Sequence, residues 1–114
     1  LANPRVVTQH RDFDYLARDA GLNIVGVVRP HEGQEPSAAD LLRLTRLIRE
    51  ENVGAVFTEP QYPAKAGETL ARETGVPLAV LDPVANGPAD ASPDYYERVM
   101  ENNLRTLERT LDAR

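Results

Sequence analysis

Four short apolar runs, each followed by a stretch of helical spacing, organise the hydrophobic pattern of this chain. The runs occupy residues 5–10, 23–28, 53–61 and 77–82. Continuous apolar runs of this length, rich in β-branched residues, are typical of strands that are buried on both faces. Their regular alternation with helical segments predicts a parallel α/β sheet.

Helical spacing of apolar residues follows every run, and the predicted helices cover residues 12–20, from 37 onward, 64–74 and from about 94 onward. Ser37 and Asp40 have the spacing of a capping box, which predicts the start of the second helix. Gly21 and Gly75 are placed to end the first and third helices. Pro60 and Pro63 precede the third helix, where proline suits the first turn.

The inward faces of three helices can be read from the same spacing. The second helix should bury Leu41, Leu44, Leu47 and Ile48, and the third should bury Ala66, Leu70 and Ala71. In the last helix the residues that recur at helical spacing are Tyr96, Val99, Met100, Asn103, Leu104, Leu107 and Leu111. Apolar stripes of this kind are predicted to pack on a sheet.

Four parallel strands with right-handed crossovers most economically take the order 2-1-3-4. This order places the third strand between the first and the fourth, with helices on both faces of the sheet. At 114 residues, the chain has the length of one such domain. It begins at Leu1 rather than Met, which we interpret as a processed chain or a domain excised from a longer protein.

Composition excludes several kinds of function. The net charge is −5, and no cluster of Lys and Arg is interleaved with aromatic residues, so the chain is not predicted to bind nucleic acid. It has no cysteine, so a metal would have to be held by nitrogen and oxygen ligands. No apolar stretch approaches the roughly 20 residues of a membrane helix, and no signal segment is visible.

Three residues that could bind a metal or a proton lie at the ends of the predicted strands: His10, Glu59 and Asp82. Ligands of open α/β sheets bind beyond the carboxyl ends of the strands. An imidazole and a carboxylate at neighbouring strand ends can bind a divalent metal, and Glu59 could orient the imidazole or bind the metal itself. The competing interpretation is that these are ordinary solvated strand ends. His31, in a polar loop, is more simply a solvated histidine.

Five segments resemble a known family in order and spacing: residues 9–17 (QHRDFDYLA), 35–41 (EPSAADL), 56–61 (VFTEPQ), 80–83 (VLDP) and 95–104 (YYERVMENNL). They are similar to landmarks of the TroA-like zinc and manganese solute-binding proteins of ABC transporters. The resemblance covers essentially the whole chain, but only the C-terminal lobe of the two-lobed family fold. Arg11 and Asp14 depart from the family pattern, in which Asp and Gly are usual.

The resemblance implies a four-ligand metal site in the cleft between two lobes. Two ligands would be histidines of an N-terminal lobe that this sequence does not include, and the other two positions match His10 and Asp82. Glu59 would more readily orient a ligand than bind the metal. Members that prefer manganese tend to carry Glu at the position of His10, so histidine favours zinc. The chain is thus expected to be part of a periplasmic protein or lipoprotein that delivers zinc, or alternatively manganese, to an ABC permease. It would be a binding module and not an enzyme.

Two other hypotheses remain open from the residues alone. A flavodoxin-like or receiver-like domain would bind magnesium or a small anion at its strand ends. That class needs paired acids after the first strand and a lysine late in the sheet, and neither is visible. Alternatively, the chain is an interaction domain whose strand ends are only solvated.

Overall fold

The computed structural model describes residues 3–9, 13, 17–18, 20–28, 35–60, 63–82 and 94–112. Its sheet has four strands: β1 (Arg5–Thr8), β2 (Asn23–Val27), β3 (Ala55–Thr58) and β4 (Leu78–Val80). All neighbouring pairs are parallel and the order is β2-β1-β3-β4, which confirms the predicted topology. Each strand is shorter than its apolar run because burial extends beyond the paired residues: Val53 and Leu81 are buried outside the strands.

Successive strand residues alternate between two apolar clusters, so the sheet is buried on both faces. Val6, Ala55 and Phe57 point into one cluster. Val7 and Val56 point into the other. This alternation is the period of two that a pleated strand imposes, and it explains why consecutive residues of the central strands, such as Val6 with Val7 and Val56 with Phe57, are apolar.

Three helices and one π-helical turn are described: α1 (Ala38–Glu50), α2 (Lys65–Thr74), α3 (Tyr95–Leu107) and the turn Glu108–Asp112. Helices α1 and α2 pack through Leu44, Ile48 and Leu70 on one face of the sheet. Helix α3 packs on the opposite face through Leu107. Of the predicted helix over residues 12–20, residues 17–18 and 20 are helical and the rest lies largely outside the described residues. No helix in the described part of the chain is long and apolar enough to cross a membrane.

The predicted helix ends agree with the structure at three points. Ser37 caps α1 reciprocally with Asp40: its hydroxyl accepts from the Asp40 N–H, and its own N–H donates to the Asp40 carboxylate. The bond from the Ser37 backbone holds the pKa of Asp40 below its ordinary value. Gly75 ends α2 in the left-handed region with φ of 76°, and Gly21 has φ of 74°. These angles favour glycine because a Cβ would be strained there.

One prediction about the helices is wrong, namely the inward position of Leu104. Pro60 and Pro63 precede α2 as predicted, and Pro63 lies just before Ala64, the N-cap, so the prolines are outside the first turn itself. The chain remains non-helical at Pro63, and the carbonyl of this residue accepts a hydrogen bond from the Gln9 side chain. Leu104 is 43% exposed, because it lies about 100° around the helix from the buried Asn103. The side chain of Tyr96 lies outside the described part.

Helix α2 lies unusually close to the sheet at Gly67. A Cβ on Gly67 would lie 2.7 Å from Thr58 Cγ2 and 3.3 Å from Leu78 Cδ1. Gly67→Ala should therefore clash mainly with a methyl group that Thr58→Ser removes. We expect the double variant to be less destabilised than the sum of the single variants by about 0.5–3 kcal/mol in a denaturant-unfolding cycle. Strict additivity would show that α2 can move away from β3 at no cost.

Candidate metal site

The carboxyl ends of three strands lie side by side at one edge of the sheet. The ladder pairs Thr8 of β1 with Phe57 of β3, and Thr58 of β3 with Val80 of β4. Adjacent strands are about 4.8 Å apart, so the ends of β1 and β4 are separated by about 10 Å, with β3 between them. Side chains that leave β1 and β4 at this edge can therefore converge in front of β3.

Two of the three predicted site residues lie at this edge. Glu59 follows β3 directly and is only 3% exposed. Asp82 lies two residues beyond β4 and is half-buried. His10, two residues beyond β1, and the loop residue His31 lie outside the described residues. Within the described part, which includes Glu59 and Asp82, no three His, Cys, Asp or Glu side chains form a group able to hold a metal.

The backbone of Glu59 is held by the side-chain amide of Gln9. Gln9 continues the ladder beyond β1, because its own N–H donates to the Phe57 carbonyl at 3.0 Å. Its Oε1 accepts from the Glu59 N–H at 3.0 Å, and its Nε2 donates to the Pro63 carbonyl at 3.0 Å. Gln9 is 3% exposed, so these bonds satisfy a buried polar group. One side chain thus ties the end of β1 to the end of β3 and to the segment that leads into α2.

The backbone of Asp82 is held in a similar way by Asn103 of α3. The Asp82 N–H donates to Asn103 Oδ1 at 3.0 Å, and Asn103 Nδ2 donates to the Asp82 carbonyl at 2.7 Å. Just before Asp82, the Leu81 N–H still donates to the Thr58 carbonyl of β3 at 2.9 Å. The chain beyond β4 is therefore fixed first to the sheet and then to the last helix.

A cavity of about 390 Å³ opens beside Asp82, between the end of β4 and helix α3. Its wall includes Val80, Asp82 and Arg98. Arg98 forms an ion pair with Asp94 at 3.7 Å, in which both side chains are more than half exposed. An exposed pair of this kind is screened by solvent and contributes little to stability. At the carboxyl-end edge, Asp82 therefore faces a cavity, whereas Glu59 is buried.

Sequence reasoning did not assign a role to either amide. Asn103 had a visible signal, because it is a polar residue at an inward position of an otherwise apolar helical stripe. Gln9 had none, since a glutamine at the end of a strand looks the same whether it is solvated or bonded. Their hydrogen bonds join residues that are 50, 54 and 21 positions apart, which no local pattern records.

Comparison with known proteins identifies relatives along almost the whole chain. The family model of the periplasmic zinc-uptake complex component A, ZnuA, matches residues 1–110. The zinc-binding protein AdcA of Streptococcus pyogenes is 36% identical over 110 residues, which are 94% of this chain and 21% of that protein. The zinc-binding lipoprotein AdcA of Streptococcus pneumoniae is 35% identical over 108 residues, or 93% of this chain and 22% of that protein.

The fold also matches a solved structure of a metal-bound solute-binding protein. The solute-binding protein FpvC of Pseudomonas aeruginosa, solved in complex with Mn²⁺, superposes with a TM-score of 0.81 at 36% identity. The match covers 99% of this chain and 42% of that chain. The present chain spans about a fifth of the length of the two AdcA proteins. From the family-model match and these identities, the chain belongs to the ZnuA family.

Proposed function

We propose that this chain is the C-terminal lobe of a two-lobed protein that captures a divalent transition metal outside the cytoplasm and delivers it to an ABC permease. Zinc is the favoured metal and manganese the alternative. In this proposal residues 1–114 form one domain that supplies half of a metal site, and an N-terminal lobe supplies the other half. The metal is the transported substrate, not a resident cofactor.

The observation that carries the proposal is the row of strand ends at the carboxyl edge of the sheet. Asp82 and Glu59 leave neighbouring strands there, and each has its backbone fixed by a buried side-chain amide. His10 follows directly after Gln9, the residue that joins the ends of β1 and β3. Ordinary solvated strand ends do not need such fixation, whereas metal ligands must be held in a defined position.

The donor set fits zinc. We propose His10 and Asp82 as ligands, because zinc accepts imidazole nitrogen and carboxylate oxygen in a tetrahedral site. Glu59 is proposed to accept a hydrogen bond that orients a ligand, a role that suits its buried position between the two strands. Manganese favours carboxylate and carbonyl oxygen over imidazole, so His10 is the residue that makes zinc the preferred metal.

The relatives support the same substrate and location. The two AdcA proteins are named zinc-binding, and one of them is named a lipoprotein. The ZnuA model is described as a periplasmic component of a zinc-uptake complex. FpvC was solved with Mn²⁺, which supports manganese as the alternative. These names motivate the extracytoplasmic location and the permease as partner.

Binding, not catalysis, is the role that the proposed coordination favours. Catalytic zinc sites keep one position for water or substrate, whereas a site with four protein ligands is closed. Two ligands from each lobe would close the site and leave no position for a reacting molecule. Membership of the ZnuA family also replaces the flavodoxin-like and receiver-like hypothesis, for which the described residues provide no support.

The proposal predicts that this 114-residue chain binds zinc weakly on its own. Two protein ligands, or three if Glu59 joins, leave coordination positions to water, and the cleft no longer excludes solvent. Calorimetry of the chain and of the full-length protein that contains it would compare the two affinities. The full-length protein should bind zinc far more tightly than the chain. Nanomolar affinity of the chain alone would contradict the half-site proposal.

A further inference from the structure

We infer that Asn103 is a positioning residue for metal capture: its side-chain amide holds the backbone of Asp82 in the binding geometry before the metal arrives. The inference rests on the proposed function, because it assumes that Asp82 is a ligand. It adds a residue of the last helix that lines the cavity beside Asp82 and that acts by holding the Asp82 backbone, not by binding the metal.

The Asn103 amide continues the hydrogen bonding of the sheet one residue beyond its backbone pairing. Parallel pairing of β4 ends at Val80, and among the described residues the backbone bond to β3 nearest Asp82 is the one from the Leu81 N–H. One residue later, Asn103 accepts from the Asp82 N–H and donates to the Asp82 carbonyl. A primary amide offers both an acceptor and donors, so one side chain satisfies both backbone groups of one residue. No apolar side chain of similar volume can form either of these two hydrogen bonds.

The Asn103 side chain is held rigidly by the packing around it. Asn103 is 1% exposed, and Leu107, one turn later on α3, is fully buried in the core. A buried polar group that is fully hydrogen-bonded has few alternative conformations, because breaking either bond leaves an unsatisfied group away from water. The position of Asp82 is therefore set by the packing of α3 on the sheet. Asp82 itself lines the open cavity beside β4.

A ligand whose backbone is already ordered does not lose that freedom when the metal binds. Preorganisation of this kind raises affinity without any new contact to the metal. Residues that orient metal ligands typically change metal affinity by about 10-fold to 100-fold when they are replaced. The inference therefore predicts a loss of zinc affinity in that range when both hydrogen bonds to Asp82 are removed.

The test compares two isosteric replacements on α3 in the full-length protein that contains this chain. Asn103→Leu removes both bonds to Asp82. Thr106→Val is the matched control, because Thr106 is also buried and its hydroxyl donates to the Asn102 carbonyl within the helix. Competition titration with a chelator should show about 10-fold to 100-fold weaker zinc binding for Asn103→Leu. Thr106→Val should change affinity by less than about threefold, since the hydrogen bond that it removes lies within α3 and does not involve Asp82.

A second measurement needs no variant, so it decides the question even if Asn103→Leu fails to fold. Hydrogen exchange of the Asp82 amide proton in the zinc-free protein should be slow, and zinc should slow it little further. Protection that appears only after zinc is added would overturn the inference.

The outcomes separate the two proposals. If the unaltered protein binds no zinc, the proposed function fails. If it binds zinc, and Asn103→Leu binds as tightly as Thr106→Val, only the positioning role fails. Weaker binding by Asn103→Leu alone, together with a protected Asp82 amide in the zinc-free protein, supports both.

Discussion

His10→Ala in the full-length protein should weaken zinc binding strongly. Replacing a residue that only orients a metal ligand already costs about 10-fold to 100-fold in affinity, and loss of the ligand itself should cost no less. His10 follows Gln9, whose side chain ties the end of β1 to Glu59 at the end of β3. Removal of the imidazole should delete a nitrogen ligand and leave the metal with water in its place. Competition titration against a chelator would measure the loss.

His31→Ala provides the matched control, because it removes the same side chain from the segment that follows the outer strand β2 in sequence and is predicted to be a loop. This strand is one position further from β4 than β1 is. We expect the zinc affinity of the His31→Ala variant to change by less than about threefold, because solvent and salt screen the charge of a side chain in such a loop. Equal losses in the two variants would show that the loop after β2 reaches the metal. An unchanged affinity in His10→Ala would return the strand ends to ordinary solvated positions.

Phe57→Ala should remove about 3–5 kcal/mol from the free energy of unfolding, the usual range for truncation of a buried aromatic residue. Phe57 is fully buried in the central strand and belongs to the cluster that also contains Leu81 and Leu107. Small domains have a total stability of about 5–15 kcal/mol, so this variant should be partly unfolded at moderate denaturant concentrations. Because Glu59 follows the same strand, the candidate site should be lost together with the fold.

Val80→Ala tests the same reasoning at an exposed position of the sheet. Val80 is 52% exposed on the edge strand β4. Its truncation should change the free energy of unfolding by within about 0.5 kcal/mol, as at other surface positions. Urea denaturation of both variants would compare them. Equal destabilisation would mean that β4 carries as much of the core as β3 does.

The fold could be predicted because its determinants are periodic and local. The alternation of Val6 and Val7 between two clusters follows from the pleat, and the helical stripe through Leu44 and Ile48 follows from the helical repeat. Once four buried runs are separated by helices, short right-handed crossovers leave few orders for the strands. The N-terminal cap of α1 could be predicted from the four residues 37–40 alone.

The parts that could not be predicted depend on contacts between distant segments. The carbonyl of Pro63 accepts from Gln9, which no local rule for prolines at helix starts includes. Leu104 satisfies the helical spacing of an apolar residue, but the buried stripe of α3 turns toward Asn103, whose amide is needed by Asp82. At the candidate site, residue types predicted which strand ends carry side chains that could bind a metal. They did not indicate which buried amides hold those ends in place.

The most direct test of the central claim is the zinc-loaded structure of the full-length protein, with the metal located by its anomalous scattering. The account predicts zinc at about 2.0–2.1 Å from a ring nitrogen of His10 and about 2.0–2.2 Å from a carboxylate oxygen of Asp82. It also predicts that the remaining ligands come from a second lobe. Zinc bound in a site that includes neither His10 nor Asp82 would contradict the account.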